Sequence, residues 1–299
     1  MSVQGQPGSS KMSPRLRRVV SFLVVAGVLI FLWEGYKFVW QSFGWIRPVR
    51  PDNTTMPHVW DMFIELFRPV RRGGDLLILD LIGRTFFTLR EALAGFVIGG
   101  VLGFAISVVF VRSTLLENAF MPYVVASQTI PIIAIAPMVV VWGGRLGLPQ
   151  WLSVAIIAAY LTFFPVAINT LRGLRSPDPN ALELMRSYAA KPSDVLWKVQ
   201  VPAALPYIFT ALKISATASV IGALIGELPI GSGDGLGRAL LTFSQQFGAR
   251  SVKLYATVLI TGLAGVIFVA AVILAERYTL RAGAREDYDV ELMPGRAQG

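Results

Sequence analysis

The sequence predicts an all-α polytopic membrane protein with six transmembrane helices, and three observations carry that reading. Of its 299 residues 54% are apolar and only 15% charged, and the mean hydropathy is +0.61, a balance far from that of a soluble domain. Apolar stretches of roughly 20 residues recur along the chain, each long enough to cross a hydrocarbon core about 30 Å thick. The basic residues lie mostly in the polar segments between these stretches, where Lys and Arg orient a membrane protein.

Residues 1–18 read as a flexible basic cytoplasmic tail. They are polar and rich in Gly, Ser and Pro, and end on Lys11, Arg15, Arg17 and Arg18. The first span covers 19–40 and is retained, because Glu34 to Trp40 continue it without a small-residue cleavage site. On it Glu34 and Lys37, three residues apart, read as an interfacial ion pair. Residues 41–75 form a periplasmic loop with Pro48, Pro51 and Pro57 and a short amphipathic surface helix from Val59 to Phe67. His58, the only histidine, reads as an ordinary loop residue.

The membrane core then runs over 76–275. Leu76 to Arg90 mixes apolar residues with Asp80, Arg84 and Arg90 and is placed along the interface, leading into a second span from Glu91 to Val111. Gly95, Gly99 and Gly103 recur every four residues there, which puts three missing side chains on one helix face for close helix packing. The third span, Ala119 to Trp142, contains Pro122, Pro131 and Pro137, so it is kinked. The fourth covers Trp151 to Leu171, the fifth Pro206 to Ile230 and the sixth Leu254 to Ala275. Residues 276–299 form a charged, frayed cytoplasmic tail. Six spans starting inside place both termini in the cytoplasm, although Arg47, Arg50, Arg68, Arg71 and Arg72 in the first outer loop blur the charge bias.

Several functions are excluded by composition. Without cysteine, and with one histidine, the chain has no thiolate or histidine cluster for a metal. The net charge of +9 suits anionic lipid headgroups and not nucleic acid, because no single basic patch interleaves with aromatics. Gly231 to Gly237 lacks the Gly-Lys-Ser/Thr ending of a phosphate loop and reads as a flexible external turn. No other nucleotide-binding sequence appears, so no cofactor is expected in this chain. The spans show no paired carboxylates, which argues against an intramembrane enzyme.

The segment 172–205 is too long to be only a connection. Pro179 and Pro192 bracket about three helical turns from Asn180 to Lys191, with Leu182, Met185 and Ala189 on one face and Glu183, Arg186 and Lys191 more exposed. Such a short amphipathic helix suits a groove on a soluble partner. Polar side chains within spans tend to face the bundle interior, which makes Ser127, Gln128, Thr129, Thr162, Asn169, Ser215, Thr217 and Ser219 the candidates for a solute pathway. Lys213 and Glu227, toward opposite ends of the fifth span, read as snorkelling or paired between helices.

From Glu183 to Pro202 the chain resembles the binding-protein-dependent permeases of ATP-binding-cassette importers, in the branch of nitrate, sulfonate and taurine permeases. Their cytoplasmic signature is Glu-Ala-Ala, three residues, Gly, nine residues, then an aliphatic, one residue, an aliphatic and Pro. It falls here on Glu183, Ala189, Val199, Val201 and Pro202, with Leu184 and Met185 replacing the two alanines and Ala189 the glycine. The likeness extends from about Leu76 to Ala275. The stretches Thr210 to Ile214 and Ile225 to Pro229 resemble importers of pyrimidine precursors and riboflavin.

The resemblance implies the type I importer permease architecture in a bacterial inner membrane, with a second permease copy forming a homodimer. It further implies two ATP-binding subunits, which hold ATP and magnesium, and a periplasmic or lipid-anchored solute-binding protein. Glu183, Arg186, Ala189, Lys191, Val199 and Pro202 are then coupling residues, not catalysts. The alternative is a self-contained secondary transporter, against which stands the absence of an inverted repeat in the sequence.

Overall fold

The computed structural model describes residues 14–45, 47, 50, 52–71, 73–230 and 234–291. The readings on residues 1–13 with Lys11, on Pro48, Pro51, Arg72 and Gly231 to Gly233, and on residues 292–299 lie outside that set. The helices are α1 (Pro14–Ser42), α2 (Val59–Leu66), α3 (Leu77–Arg112), α4 (Thr114–Ser127), α5 (Ile132–Arg145), α6 (Gln150–Leu174), α7 (Pro179–Ser187), α8 (Pro192–Val195), α9 (Val201–Glu227), α10 (Leu236–Gln245) and α11 (Phe247–Glu291). Among the described residues five segments are long and apolar enough to cross a membrane, and the pair α4 and α5, bent by 98°, passes the same test together as a broken span or a re-entrant loop.

The core is α3, α6 and α9. Side chains missing from α3 let it reach the backbone of α6: a Cβ at Gly95 would lie 2.7 Å from the Ala155 carbonyl, one at Gly99 2.7 Å from Thr162 Cβ, and one at Gly103 2.7 Å from the Phe163 carbonyl. Residue numbers climb together along this contact, so α3 and α6 run parallel. Gly222 meets Ala158 and Gly226 meets Val154 in descending order, so α9 runs antiparallel to both. Hydroxyls tie the three helices across their backbones. Ser107 donates to the Ala167 carbonyl at 2.7 Å, Ser215 to Thr162 at 3.1 Å and Ser219 to Ala92 at 2.5 Å. In an apolar medium each such bond satisfies a buried hydroxyl and so offsets the cost of desolvating it.

This packing sorts the ends of the bundle. The C-termini of α3 and α6, the N-terminus of α9, and α7 and α8 share one end. At the other, α10 and α11 pack through Leu236, Ala239, Phe243 and Ala256 on Leu77 and Leu81 of α3, with Leu66 of α2 joining them. Lys253 of α11 donates to the Pro69 and Val70 carbonyls at 2.9 Å each, which pins the turn between α2 and α3.

Several elements depart from the sequence reading. Leu76 to Arg90 is not a separate interfacial segment, because α3 is one unbroken helix of 36 residues, about 54 Å at 1.5 Å per residue. Asp80 and Arg84 are carried within it as an i,i+4 pair at 2.8 Å. The helix α11 continues past Glu276 to Glu291 in place of a frayed tail. Glu34 and Lys37 each take a direct partner from the loop and not from each other. Glu34 accepts from Val59 N–H at 2.9 Å, capping α2, and meets His58 Nδ1 at 2.7 Å, while Lys37 donates to Asn53 Oδ1 at 2.6 Å. His58 is therefore a docking residue, stacked on Trp60 at 4.3 Å.

The α3–α6 approach generates a comparison. Ala at Gly99 forces a methyl into the Ala159 backbone and the Thr162 side chain, whereas Ala at Gly100 meets only Leu212 Cδ2 at 3.9 Å. Gly99→Ala is expected to destabilise the purified protein by about 1–3 kcal/mol, and Gly100→Ala to leave it within about 0.5 kcal/mol. Thermal unfolding followed by tryptophan fluorescence checks both.

Candidate coupling loop and solute pathway

The exposed helix α7 starts where sequence chemistry dictates. Asp178 accepts from Asn180 N–H at 2.9 Å as N-cap, and Pro179 occupies the first turn. It ends in a six-to-one, five-to-two closure: Ala190 N–H donates to the Met185 carbonyl at 3.0 Å and Ala189 N–H to Arg186 at 2.9 Å. That closure needs a left-handed residue at the penultimate position, and Ala189 supplies it with φ of 51°. The glycine usual at this place in the signature has its physical reason here: a Cβ is strained where the chain must turn left-handed.

The faces of α7 differ from the sequence reading in one respect. Leu182 and Met185 are half-buried and Glu183, Arg186 and Lys191 exposed, but Ala189 is exposed and Ala190 turns inward. Leu184 and Tyr188, one turn apart, are 56% and 77% exposed beside Glu183 and Arg186. They were missed because attention to the inward stripe leaves the opposite apolar pair unread; their i,i+4 spacing was the available signal. The outer face of α7 thus combines two charges with an aliphatic and an aromatic side chain, all exposed.

The loop is fixed to the spans on both sides. Leu174 at the end of α6, Leu196 after α8 and Ala204 in α9 are buried together, with Val108 and Val111 of α3 packed on them. Between α8 and α9 the residues Leu196–Gln200 form a π turn, which keeps Leu196 pointing inward while Val199 and Gln200 lie half-buried and Pro202 exposed. Beside the loop, Arg175 makes a bidentate pair with Glu117, joining α6 to α4.

The eight candidate pathway residues fall into three environments. Thr162, Ser215 and Ser219 are fully buried between α3, α6 and α9, and the two serines are spent on interhelical bonds. Ser127 and Asn169 are half-buried and donate within their own helices, to Val124 and Pro165. Gln128 and Thr129 sit exposed at the break between α4 and α5, which Tyr160 of α6 holds by donating to the Ser127 carbonyl at 2.5 Å. Thr217 is exposed and opens into a groove of about 600 Å³ between α9, α10 and α11, lined also by Ile221, Leu224, Leu240, Thr261 and Val266. The structure brings Gln128 and Thr129 together, and sets Thr217 apart from them.

Of the two charged residues of α9, Lys213 pairs with Glu276 of α11 at 2.8 Å. Glu227 corrects the statement that the spans hold no paired carboxylates. It is buried against Glu91 of α3, 136 positions away in sequence and invisible to local pattern. Gly235 and Gly237 pack on Glu227, so the described part of the glycine-rich stretch is a tight turn and not a loose one. Among the described residues no group of His, Cys, Asp and Glu is placed to hold a metal.

Residues 95–279 match the family described as binding-protein-dependent transport system inner membrane component. The chain is 36% identical over 199 residues to the formylaminopyrimidine transport permease protein ThiX of Halalkalibacterium halodurans, covering 65% of this chain and 77% of that one. It is 30% identical over 243 residues to the putative aliphatic sulfonates transport permease protein SsuC of Bacillus subtilis, covering 81% and 83%. A chain from the crystal structure of an amino acid ABC transporter with histidines superposes with a TM-score of 0.54 at 17% identity, covering 67% of this chain and 94% of that one.

The left-handed Ala189 yields a graded expectation. Ala189→Gly removes about 1 kcal/mol of backbone strain, partly offset by the entropy of glycine in the unfolded chain, so the loop holds or gains protection. Ala189→Val adds a β-branched side chain where φ is positive and is expected to open the closure. Hydrogen exchange at the amides of residues 188 to 191 should be slower or unchanged in the first variant and several-fold faster in the second.

Proposed function

The chain belongs to the binding-protein-dependent transport system inner membrane component family and is the multi-pass permease subunit of an ATP-binding-cassette importer; from that premise we propose that α7 is the helix through which ATP hydrolysis in a separate subunit drives it. The observation that carries this reading is the stapled, outward-facing α7. Its face of Glu183, Leu184, Arg186 and Tyr188 is open to enter a groove, and the chain on either side of it is anchored to the core at Leu174, Leu196 and Ala204, with Val108 and Val111 of α3 packed on them. A push on α7 is passed through the short connections that flank it to the buried ends of α6 and α9. Lys191, Val199 and Pro202 carry that push from α7 into α9, and Ala189 sets the angle at which the chain leaves the helix.

In this reading α7 and both termini face the cytoplasm, because α1 begins and α6 ends at the same end of the bundle. Two permease copies, two ATP-binding subunits holding ATP and magnesium, and a periplasmic or lipid-anchored solute-binding protein complete the importer. The chain itself is a transport subunit without catalysis of its own. Gln128, Thr129 and Thr217 are the polar side chains of the candidate set with access to open surface, and they are proposed to meet the solute. Thr162, Ser215 and Ser219 act through helix packing, and Ser127 and Asn169 line the approach.

The solute is a small polar compound, either an anion of the nitrate or sulfonate kind or a heteroaromatic of the pyrimidine or riboflavin kind. The groove beside Thr217 favours the second class, since no cation is among the residues that line it and a buried anion needs one. ThiX is named for a formylaminopyrimidine.

Affinity capture of the tagged chain from solubilised native membranes, with the partners identified by mass spectrometry, should recover an ATP-binding subunit and a solute-binding protein. Glu183→Arg combined with Arg186→Glu is expected to cut recovery of the ATP-binding subunit at least tenfold with membrane insertion intact; undiminished recovery removes the docking role. Gln128→Leu should lower uptake without disassembling the complex, and wild-type uptake takes Gln128 out of the pathway.

A further inference from the structure

Where α3, α9 and the start of α10 meet, the fold encloses two carboxyl groups for which coupling and solute passage have no use. Glu91 of α3 and Glu227 at the end of α9 are each about 1% exposed and lie within reach of one another. Their surroundings are opposite in kind. Glu227 is ringed by donors: the Thr88 hydroxyl at 2.6 Å from one oxygen and Gly237 N–H at 2.6 Å from the other, with the Arg238 N–H adding to these. The enclosure is shaped to this carboxylate, since a Cβ at Gly235 would overlap it and one at Gly237 would lie 2.9 Å from Oε2. Thr88 in turn accepts from Leu236 N–H at 2.9 Å.

Glu91 has none of this. Neither of its oxygens receives a hydrogen bond from the protein. Arg90, next to it on α3, turns its guanidinium over the Phe87 ring at 5.2 Å. A buried carboxylate without a donor is not sustained in an apolar interior, and two carboxylates facing one another there still less so. A single proton resolves both difficulties. On Glu91 it makes a donor of a group that has no donors to accept from, and Glu227, already satisfied as an anion, has lone pairs left to accept it.

We propose that Glu91 and Glu227 form a proton-binding site, in which one proton resides on Glu91 and is donated to Glu227. The bound proton closes a chain from α3 through Glu227 to the first amides of α10, and so fixes α10 along the groove that Leu240 lines. The pair is asymmetric by construction: Glu91 is the donor and Glu227 the acceptor. The site stands on the packing of this chain alone and holds whether or not α7 docks an ATPase.

Infrared spectroscopy of the full-length protein in detergent at neutral pH tests it. Wild type should show a protonated-carboxyl C=O stretch that shifts in D2O, and Glu91→Gln should lack it. Because the glutamine amide replaces the missing donor, Glu91→Gln is expected to melt within about 2 °C of wild type. Glu227→Gln can accept from only one of the Thr88 and Gly237 donors, turns an N–H group toward the other, and should melt several degrees lower. Absence of the band in wild type overturns the proposal without recourse to any variant. So does a wild-type melting temperature that rises with sodium chloride, but not with choline chloride, and stays flat in Glu91→Gln, which would assign the site to a metal cation.

Discussion

Everything in this subunit is referred to the backbone-to-backbone contact of α3 with α6. In lipid no hydrophobic effect drives two apolar helices together, so association depends on how closely their atoms approach and on what polar groups they satisfy. Gly95, Gly99 and Gly103 remove three side chains at the point of approach, and Ala155, Ala158 and Ala159 answer with small ones. The shortened distance lets Ser107 reach a carbonyl on the neighbouring helix. With α9 laid antiparallel on the pair, Thr88 and Glu227 come into register although 139 positions separate them.

The same core determines how a peripheral event is felt. The loop that carries α7 is held at its base: Leu174 and Ala204 bring its two stems together where Gly173 and Ala204 nearly touch. The π turn before α9 accommodates one extra residue at this junction, which rotates Leu196 inward while α9 keeps its apolar face on α6. From this base the contacts run to the ends of α6 and α9 and on to α4, through the ion pair of Arg175 with Glu117. Segments that face open space, among them the bend at Gln128 and Thr129, lie downstream of these contacts.

Much of this was legible in the sequence, and the exceptions share a cause. Hydropathy located the spans, the four-residue glycine period marked a face of α3, and the prolines at 179 and 192 bracketed α7, because each is a local signal. Pro131 announced a kink, yet local pattern gave no measure of its 98°. The mixed composition of Leu76 to Arg90 suggested an interface, whereas Asp80 and Arg84 neutralise each other within one helix. The pairing of Glu91 with Glu227 and the capture of Glu34 by the start of α2 depend on elements far apart in the chain. Neither leaves a trace in spacing. Among candidate pathway residues, hydroxyl chemistry could not separate Ser215 and Ser219, which bond between helices, from Thr217, which does not.

The first span stands apart from this economy of close contacts. Its residues from Leu23 to Leu32 are exposed within the subunit except the half-buried Ala26, and its attachments cluster at one end: Glu34 on the start of α2, Lys37 on Asn53, Trp33 donating to the Pro57 carbonyl at 3.0 Å, and the Trp33 ring edge-on to Tyr255 at 6.1 Å. The match to the family begins only at residue 95. Within this chain α1 is synthesised before the other helices; its polar docking residues find partners once the loop that follows has been made, and its Trp33 meets Tyr255 only when α11 is in place. It behaves as a mooring line. The nascent chain is secured to the bilayer early, the remaining helices assemble beside it, and the knot at Glu34 is tied when α2 has come to rest.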